Sequence, residues 1–506
     1  MRWRTPGRSG RSRSGGNGGG GQGFFPGVHI FGQLSLVMVS RPSGSREANG
    51  SASMTSALEP ARPGPAATSR AATIGLLLLG LALPLLLVSP AWGQGLTLEQ
   101  AVAFASERNE VVLAAKERSD ATAARVGRAR GAFLPSLSIE GDYTRHDEET
   151  VRQVGDDEVT IQAQDALLGQ AIVRQPLFDA RLFPLYKVAG YERDAARYVA
   201  LDTRRRVGFT AADAFLAALS QDQVLGAANR RLELASSTLA DARARFAAQI
   251  VSSNDVTRAE LELASAEREL ALARGNQESA YLELASIMNA PIDPPLVPPD
   301  YLLAVAAEPP GETMSLIAAA RERRLDVGAD RFTAQAARAA AKEPLTRLVP
   351  RFDLHGELDQ TNVAGLSDDE REWFGRVELT WPIFDGGQRE AERKERSALA
   401  DAADYDVQSR ERQIDLEVRR ALVELVSEQA SSKQAQVAAE VGRRNAREST
   451  ELYRQGLASA LEAADANVRL FEAEVALARA GYGVTRAWLG LRAALGLDAL
   501  GQEPAR

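Results

Sequence analysis

The residues best placed to do chemistry in this chain are two carboxylates three positions apart, Glu462 and Asp465. On one helix that spacing gives them a shared face, beside the apolar stripe of Leu461 and Ala464 rather than within it. Asp255 repeats the position of Glu462 in an earlier part of the chain, where Arg258 replaces the second acid. An isolated acidic i, i+3 pair is most often a solvated helix face. A second polar set, Glu140, Asp142, Asp353, His355, Glu357 and Glu378, sits at alternating positions of short apolar segments. Bond-making chemistry is poorly supplied: there is no Cys, and His occurs only at 29, 146 and 355. That excludes thiolate metal sites and Cys nucleophiles and leaves no basis for an enzyme, a cofactor or a metal centre. What these residues offer is charge.

The elements that must position them occur twice. In Val377–Arg389, VELTWPIFDGGQR, the residues Val377, Leu379 and Trp381 alternate with Glu378 and Thr380, the pattern of a strand apolar on one face. Pro382 removes a backbone donor and ends strand pairing. Asp385, Gly386 and Gly387 supply turn and cap chemistry before a charged helical pattern from Gln388. Ala171–Leu182, AIVRQPLFDARL, carries the same Pro-apolar-Phe-Asp core, in a strand predicted to end at Pro176. Leu137-x-Ile139-x-Gly141 is matched by Phe352-x-Leu354-x-Gly356, and FLP at 133–135 by LVP at 348–350, both at an offset of 215. This internal duplication is the strongest signal in the sequence. The polar, acidic stretches Thr144–Asp165 and Thr361–Trp373 read as loops between strands.

Helices fill the rest. An amphipathic helix is predicted from near Thr97 to about Arg130. No proline interrupts Leu185–Ala290 or Ile383–Glu503. Leu232, Ala235, Leu239, Ala242 and Phe246 step by three and four, as do Leu461, Ala464, Val468, Phe471, Val475 and Ala478, which is coiled-coil spacing. Each half is therefore predicted as two very long helices joined by a tight reversal, at Phe246–Asn254 and at Tyr453–Ala460. Gly456 suits such a break because it tolerates positive φ. Sixty-odd helical residues would reach roughly 90–100 Å, beyond any single globular core.

Residues 1–70, rich in Gly, Arg, Ser and Pro, read as disordered. Residues 71–93 read as a secretory signal peptide: an apolar run, Ile74–Val88, preceded by Arg70 and followed by Ala91-Trp92-Gly93. It lies far from Met1, so Met54 is the expected start. The expected organisation is a first repeat at 94–290, a Pro-rich linker at 291–312, a second repeat at 313–498 and a tail at 499–506. Without the leader the chain holds 51 basic and 66 acidic side chains, which argues against a nucleic-acid partner. The strands, apolar on one face and polar on the other, fit a transmembrane barrel; the ordinary alternative is a half-buried soluble sheet. Export and duplication favour the barrel. Four strands cannot close one, since the smallest bacterial barrels have eight, so the protomer is expected to oligomerise.

These motifs in this order, LTLEQAVAFASERN at the start, FLPSL, QPLFD, WPIFDGGQR and LYRQGLASALEAADA, resemble the TolC-like outer-membrane efflux protein (outer-membrane factor) family over Leu96–Leu497. The resemblance implies a mainly α fold with membrane β: a trimeric TolC-like α/β-barrel with four strands and long coiled-coil helices per protomer. It implies an outer-membrane channel subunit with a periplasmic helical tunnel, without enzyme activity. The implied partners are outer-membrane lipids, a periplasmic adaptor and an inner-membrane pump. The implied adaptor-contact tip holds Tyr453, Gly456, Leu457, Ser459, Ile250 and Ser252. The implied periplasmic entrance is ringed by Glu462 and Asp465, with Asp255 adding to the field, and crowding is expected to raise some of their pKa values. Glu140, Asp142, Asp353, His355, Glu357 and Glu378 would line the barrel lumen. There are two departures. The absence of Cys excludes the lipid-anchored branch, and Ala458 stands where an Arg would help hold the mouth shut. A periplasmic coiled-coil scaffold or adaptor without a pore would explain the helices but not four repeat-related amphipathic strands.

Overall fold

The computed structural model describes residues 95–503 except 156, 293–294, 309–310 and 364–369. The leader, signal-peptide and Met54 readings lie outside the described residues. Within them the duplication governs the backbone. Thr97 caps α1 (Leu98–Arg108): its hydroxyl accepts from Gln100 N–H, and its own N–H donates to the Gln100 side chain. There follow α2 (Glu110–Gly131), β1 (Ser136–Arg145), β2 (Thr150–Val154), β3 (Asp157–Gln162), β4 (Asp165–Phe178), α3 (Leu182–Ala247) and α4 (Ser253–Met288). A short α5 (Asp300–Ala306) sits in the Pro-rich linker. The second half supplies α6 (Thr313–Arg323), α7 (Leu325–Ala340), α8 (Glu343–Thr346), β5 (Arg351–Thr361), β6 (Arg371–Thr380), α9 (Gln388–Arg454) and α10 (Ala460–Ala494). The starts of α1, α2 and β1 precede those of α6, α7 and β5 by 215 residues.

Several expectations need correction. The stretch Thr144–Asp165 is not one loop, because β2 and β3 form a hairpin inside it, turned at Gly155 with φ 72°. It carries few apolar residues, and only Val159 and Ile161 alternate on one face. The connection read as Thr361–Trp373 is shorter, since Gln360 already pairs with Arg371; its centre lies outside the described residues. β4 runs through Pro176 to Phe178, with a register shift that absorbs the missing donor. Finally, each half has one very long helix, not two: α3 and α9 have 66 and 67 residues, α4 and α10 only 36 and 35.

The short helices explain how a rod of about 100 Å is covered. α3 packs against α1 and α2 along one part and against α4 along the rest. α2 and α4 meet end to end there. Asn109 breaks the helix read from Thr97 to Arg130; its Oδ1 accepts from Val111 N–H at 3.0 Å and its Nδ2 donates to Ile287 O at 2.9 Å. Two apolar cores sit at the repeat-related joints. Val102, Phe215, Leu216, Leu284 and Met288 form the first, and Ile317, Val327, Ile414, Val418 and Leu491 the second. Among the described residues no helix is long and apolar enough to cross a membrane.

The strands β1-β4-β5-β6 form one antiparallel sheet in that order. Register puts Ile139 beside Ala171, Ala171 beside Leu358 and Leu358 beside Trp373, so one face is apolar across all four strands. That face is open: Ile139 is 81% exposed and Trp373 76%. A contiguous apolar surface of this kind marks an interface or a membrane. Neither β1 nor β6 has a strand on its outer edge among the described residues.

Replacing the fully buried Phe215 by Ala should cost about 3–5 kcal/mol of helical-domain stability. Leu457→Ala, at a site 73% exposed, should stay within about 0.5 kcal/mol. Denaturant titration followed by far-UV circular dichroism separates the two; equal losses would contradict this core.

Candidate functional site

The two helix reversals are built alike. At the end of α3, Ile250 N–H donates to Arg245 O and Gln249 N–H to Phe246 O, both at 2.9 Å. At the end of α9, Leu457 N–H donates to Leu452 O at 2.8 Å and Gly456 N–H to Tyr453 O at 3.0 Å. Each is a Schellman closure, which needs a residue in the left-handed region. Gly456 occupies it at φ 78°, and Gln249 does so at φ 61° without glycine's freedom. The chain then restarts as a helix in both places. Ser459 N–H donates to Glu462 Oε2 at 2.8 Å, and Glu462 N–H donates to Ser459 Oγ at 3.3 Å. In the first half Ser252 N–H and its hydroxyl both reach Asp255 Oδ2, at 3.1 and 3.0 Å.

Glu462 and Asp255 thus stand at the third position of capping boxes, a structural role not read from the sequence. The pKa of Glu462 moves opposite to expectation within one protomer. The Ser459 backbone N–H and hydroxyl hold its carboxyl below the ordinary glutamate value. Asp465, also exposed, pairs with Arg469 Nε at 2.8 Å, so an adjacent guanidinium shares its field.

Of the residues expected at the tip, Ile250 is 69% exposed and Leu457 73%, with Gly456, Ser252 and Ser459 open beside them. Tyr453 is the correction. It is 4% exposed, packed on Ala460 and Ala463, and supports the tip from inside. Its ring lies 5.0 Å beneath the Arg245 guanidinium. Arg245 Nη1 also donates to Tyr453 O at 2.7 Å, and its Nη2 donates to Arg454 O. With Arg454 at 3.7 Å from Asp241, this joins the two hairpins at their ends. Sequence reasoning missed Arg245; the available signal was a cation in the last turn of a helix, where carbonyls lack partners. Ala458, half-buried, contributes no polar side chain to this junction.

At the other end, register places all six expected polar residues on the sheet face opposite Ile139 and Trp373. Gln170 Nε2 donates to Glu357 Oε1 at 2.7 Å and to Asp359 Oδ1 at 3.0 Å, and His355 Nε2 lies 2.9 Å from Glu357 Oε2. Asp353 faces Arg351 at 3.3 Å, while Glu140, Asp142 and Glu378 are exposed. The polarity is interrupted by Ile172, buried between Ser138 and Glu357. No group of side chains suited to holding a metal occurs among the described residues.

The cap makes a pH prediction. Because the folded-state pKa of Glu462 is lowered, the stability it supplies is present above the ordinary value of about 4.3 and is lost as pH falls through the lowered one. Acidification should therefore accelerate amide exchange in the first turn of α10, after correction for intrinsic rates. Glu462→Gln, which still accepts from Ser459 N–H, should remove that pH dependence; an unchanged dependence would show that another group controls it.

Comparison with known proteins gives a consistent picture. The sequence profile of the outer membrane efflux protein family matches residues 103–290 and 316–497. No curated protein matches the chain. Among solved structures it is similar to a membrane protein from Pseudomonas aeruginosa, at 19% identity and a TM-score of 0.66, covering 81% of this chain and 91% of that one. The CmeC outer membrane channel of Campylobacter jejuni superposes with a TM-score of 0.66 at 16% identity, over 81% of this chain and 87% of that one. The outer membrane protein VceC of Vibrio cholerae gives 0.64 at 17% identity, over 79% and 96%. At these identities the structural likeness speaks to the fold.

Proposed function

The chain belongs to the outer membrane efflux protein family, and from that premise we propose that three copies assemble one export duct, fed from the periplasm by an adaptor and an inner-membrane pump. The observation that carries this reading is the four-stranded sheet, which has an apolar band across all four strands on one face and no strand paired at either edge among the described residues. Three copies would supply twelve strands and close every edge, as a membrane barrel requires. The face of Glu140, Asp142, Asp353, His355, Glu357 and Glu378 would then line a wet lumen. The family's channel character supports transport rather than catalysis as the function.

The helical hairpins would hang together as a periplasmic tunnel, with Gly456, Leu457, Ser459, Ile250 and Ser252 offered to the adaptor. Ile250 and Leu457 are apolar and open, which suits a transient apolar contact. Glu462 and Asp465 would form two stacked acidic rings at the mouth, with Asp255 adding to the field and Arg258 and Arg469 weakening it. Acidic rings favour cations.

Two measurements test the reading. The chain has no Cys, so Glu149→Cys in the connection before β2 gives one labelling site. A membrane-impermeant maleimide should modify it on intact cells, whereas labelling only after permeabilisation would reverse the topology. In planar bilayers the purified trimer should be cation-selective and blocked by multivalent cations from the periplasmic side. Glu462→Ala with Asp465→Ala should weaken that block by roughly tenfold or more, given six like charges in one constriction; equal block would remove these carboxylates from the mouth.

A further inference from the structure

The repeat contains its own control for one surface feature. Glu343, which stands 215 residues after Arg128, is buried in a closed network: Arg347 at 2.7 Å and Arg396 at 2.9 Å, both of which also contact Glu392. In the first half the same position is Arg128, and no such network forms. Arg128 and Arg125 are exposed on the last turns of α2, and among the described residues neither has a hydrogen-bond or ion-pair partner. Most guanidiniums along the other helices are paired, whereas Arg118 and Arg130, exposed on the same helix, also lack a side-chain partner among the described residues. Between α2 and the start of α3 the two arginines border a groove of about 320 Å³. Its floor is apolar, from Ala129, Ala132, Leu182 and Leu185, and Glu192 closes its far end.

We propose that this groove holds the headgroup of an ethanolamine phospholipid of the leaflet facing the helices. The inference rests on the membrane reading of the sheet. Continuity locates the ligand: α2 leads into β1 within a few residues, and exposed Leu134 and Leu137 carry the apolar surface from the groove's edge onto the membrane face of the sheet. An acyl chain can follow that surface while the head stays at the helix ends. Charge selects the head. Guanidinium forks match phosphate geometry, and Arg128 lies nearer the sheet than Arg125. α3 runs away from the sheet, which puts Glu192 farther from the bilayer than Arg128. Arg128 first and Glu192 beyond it is the order of a phosphate followed by a primary ammonium.

The test uses the full trimer, exchanged into micelles doped with equal amounts of phosphatidylethanolamine, phosphatidylglycerol and phosphatidylcholine and weighed by native mass spectrometry. The wild type should retain phosphatidylethanolamine preferentially. Arg125→Gln with Arg128→Gln should lower retention about thirtyfold, at about 1 kcal/mol for each of the two basic side chains near a lipid surface. Glu192→Gln should erase the preference for ethanolamine over glycerol heads without reducing total phospholipid. Unchanged retention in the double variant would overturn the proposal. So would displacement of the lipid by inorganic phosphate alone, or wild-type trimers free of lipid because a neighbouring copy covers the groove. Bilayer conductance of the same preparations keeps the readings apart: conducting trimers without bound lipid would refute this site and leave the channel standing.

Discussion

Two strand edges, unpaired among the described residues, set the terms for the molecule. In hydrocarbon each unsatisfied backbone N–H or C=O costs several kcal/mol, so an open sheet cannot stay there. A soluble sheet would escape by burying its apolar face, but here that face carries Ile139, Trp373 and Val377 outward. Closure across copies, as proposed above, is the arrangement that would leave no edge open. It also dictates where the helices go. α2, α3, α8 and α9 all join the sheet from one end, while β2 and β3 occupy the other. A chain arranged this way has a membrane end and a helical end, and the side chains at each are read by different surroundings.

A second constraint follows from helix length. α3 and α9 span about 100 Å, and no single partner of ordinary size can cover them. The chain solves this by laying shorter helices end to end along each rod. The joints need polar chemistry, because two helix ends meet there with unpaired groups. In the first half Asn109 and Asn289 supply it, Asn109 donating to Ile287 O and Asn289 to Glu110 Oε1 at 2.9 Å. In the second half Arg324 does so, pairing with Asp326 at 2.6 Å and with Glu417. The largest apolar side chains gather beside these joints, which makes the middle of the molecule its most firmly packed part.

Much of this was legible before any coordinates. Strand parity, the duplication and both reversals follow from periodicity and turn residues, and the register places all six lumen candidates on one face. What stayed hidden has physical causes. The β2–β3 hairpin carries few apolar residues because it needs no core, so periodicity had little to register. Asn109 reads as an ordinary polar position until Ile287 approaches from 178 residues away. Tyr453 was assigned to the tip surface because nothing local signals that Arg245, on another hairpin, covers it. Arg469 lies one turn beyond Asp465, and the pairing rule for i, i+4 charges would have exposed it.

Duplication makes it possible to separate what a position does for folding from what it does for transport. Where both halves keep the same chemistry, as Ser252 with Asp255 and Ser459 with Glu462, the shared task is local: restarting a helix after a reversal. The capping role alone therefore accounts for an acid at Glu462. Where the halves differ, folding does not explain the choice. Asp465 is replaced by Arg258, although either residue is compatible with an exposed helical turn. Gly456 is replaced by Gln249, which adopts the left-handed conformation at some cost. Glycine at one tip alone removes a side chain from that surface as well as strain from its backbone. The second half's reversal thus combines an uncrowded tip with two acids on the turn behind it, and that asymmetry, rather than the acidic pair alone, distinguishes it from the first half's reversal.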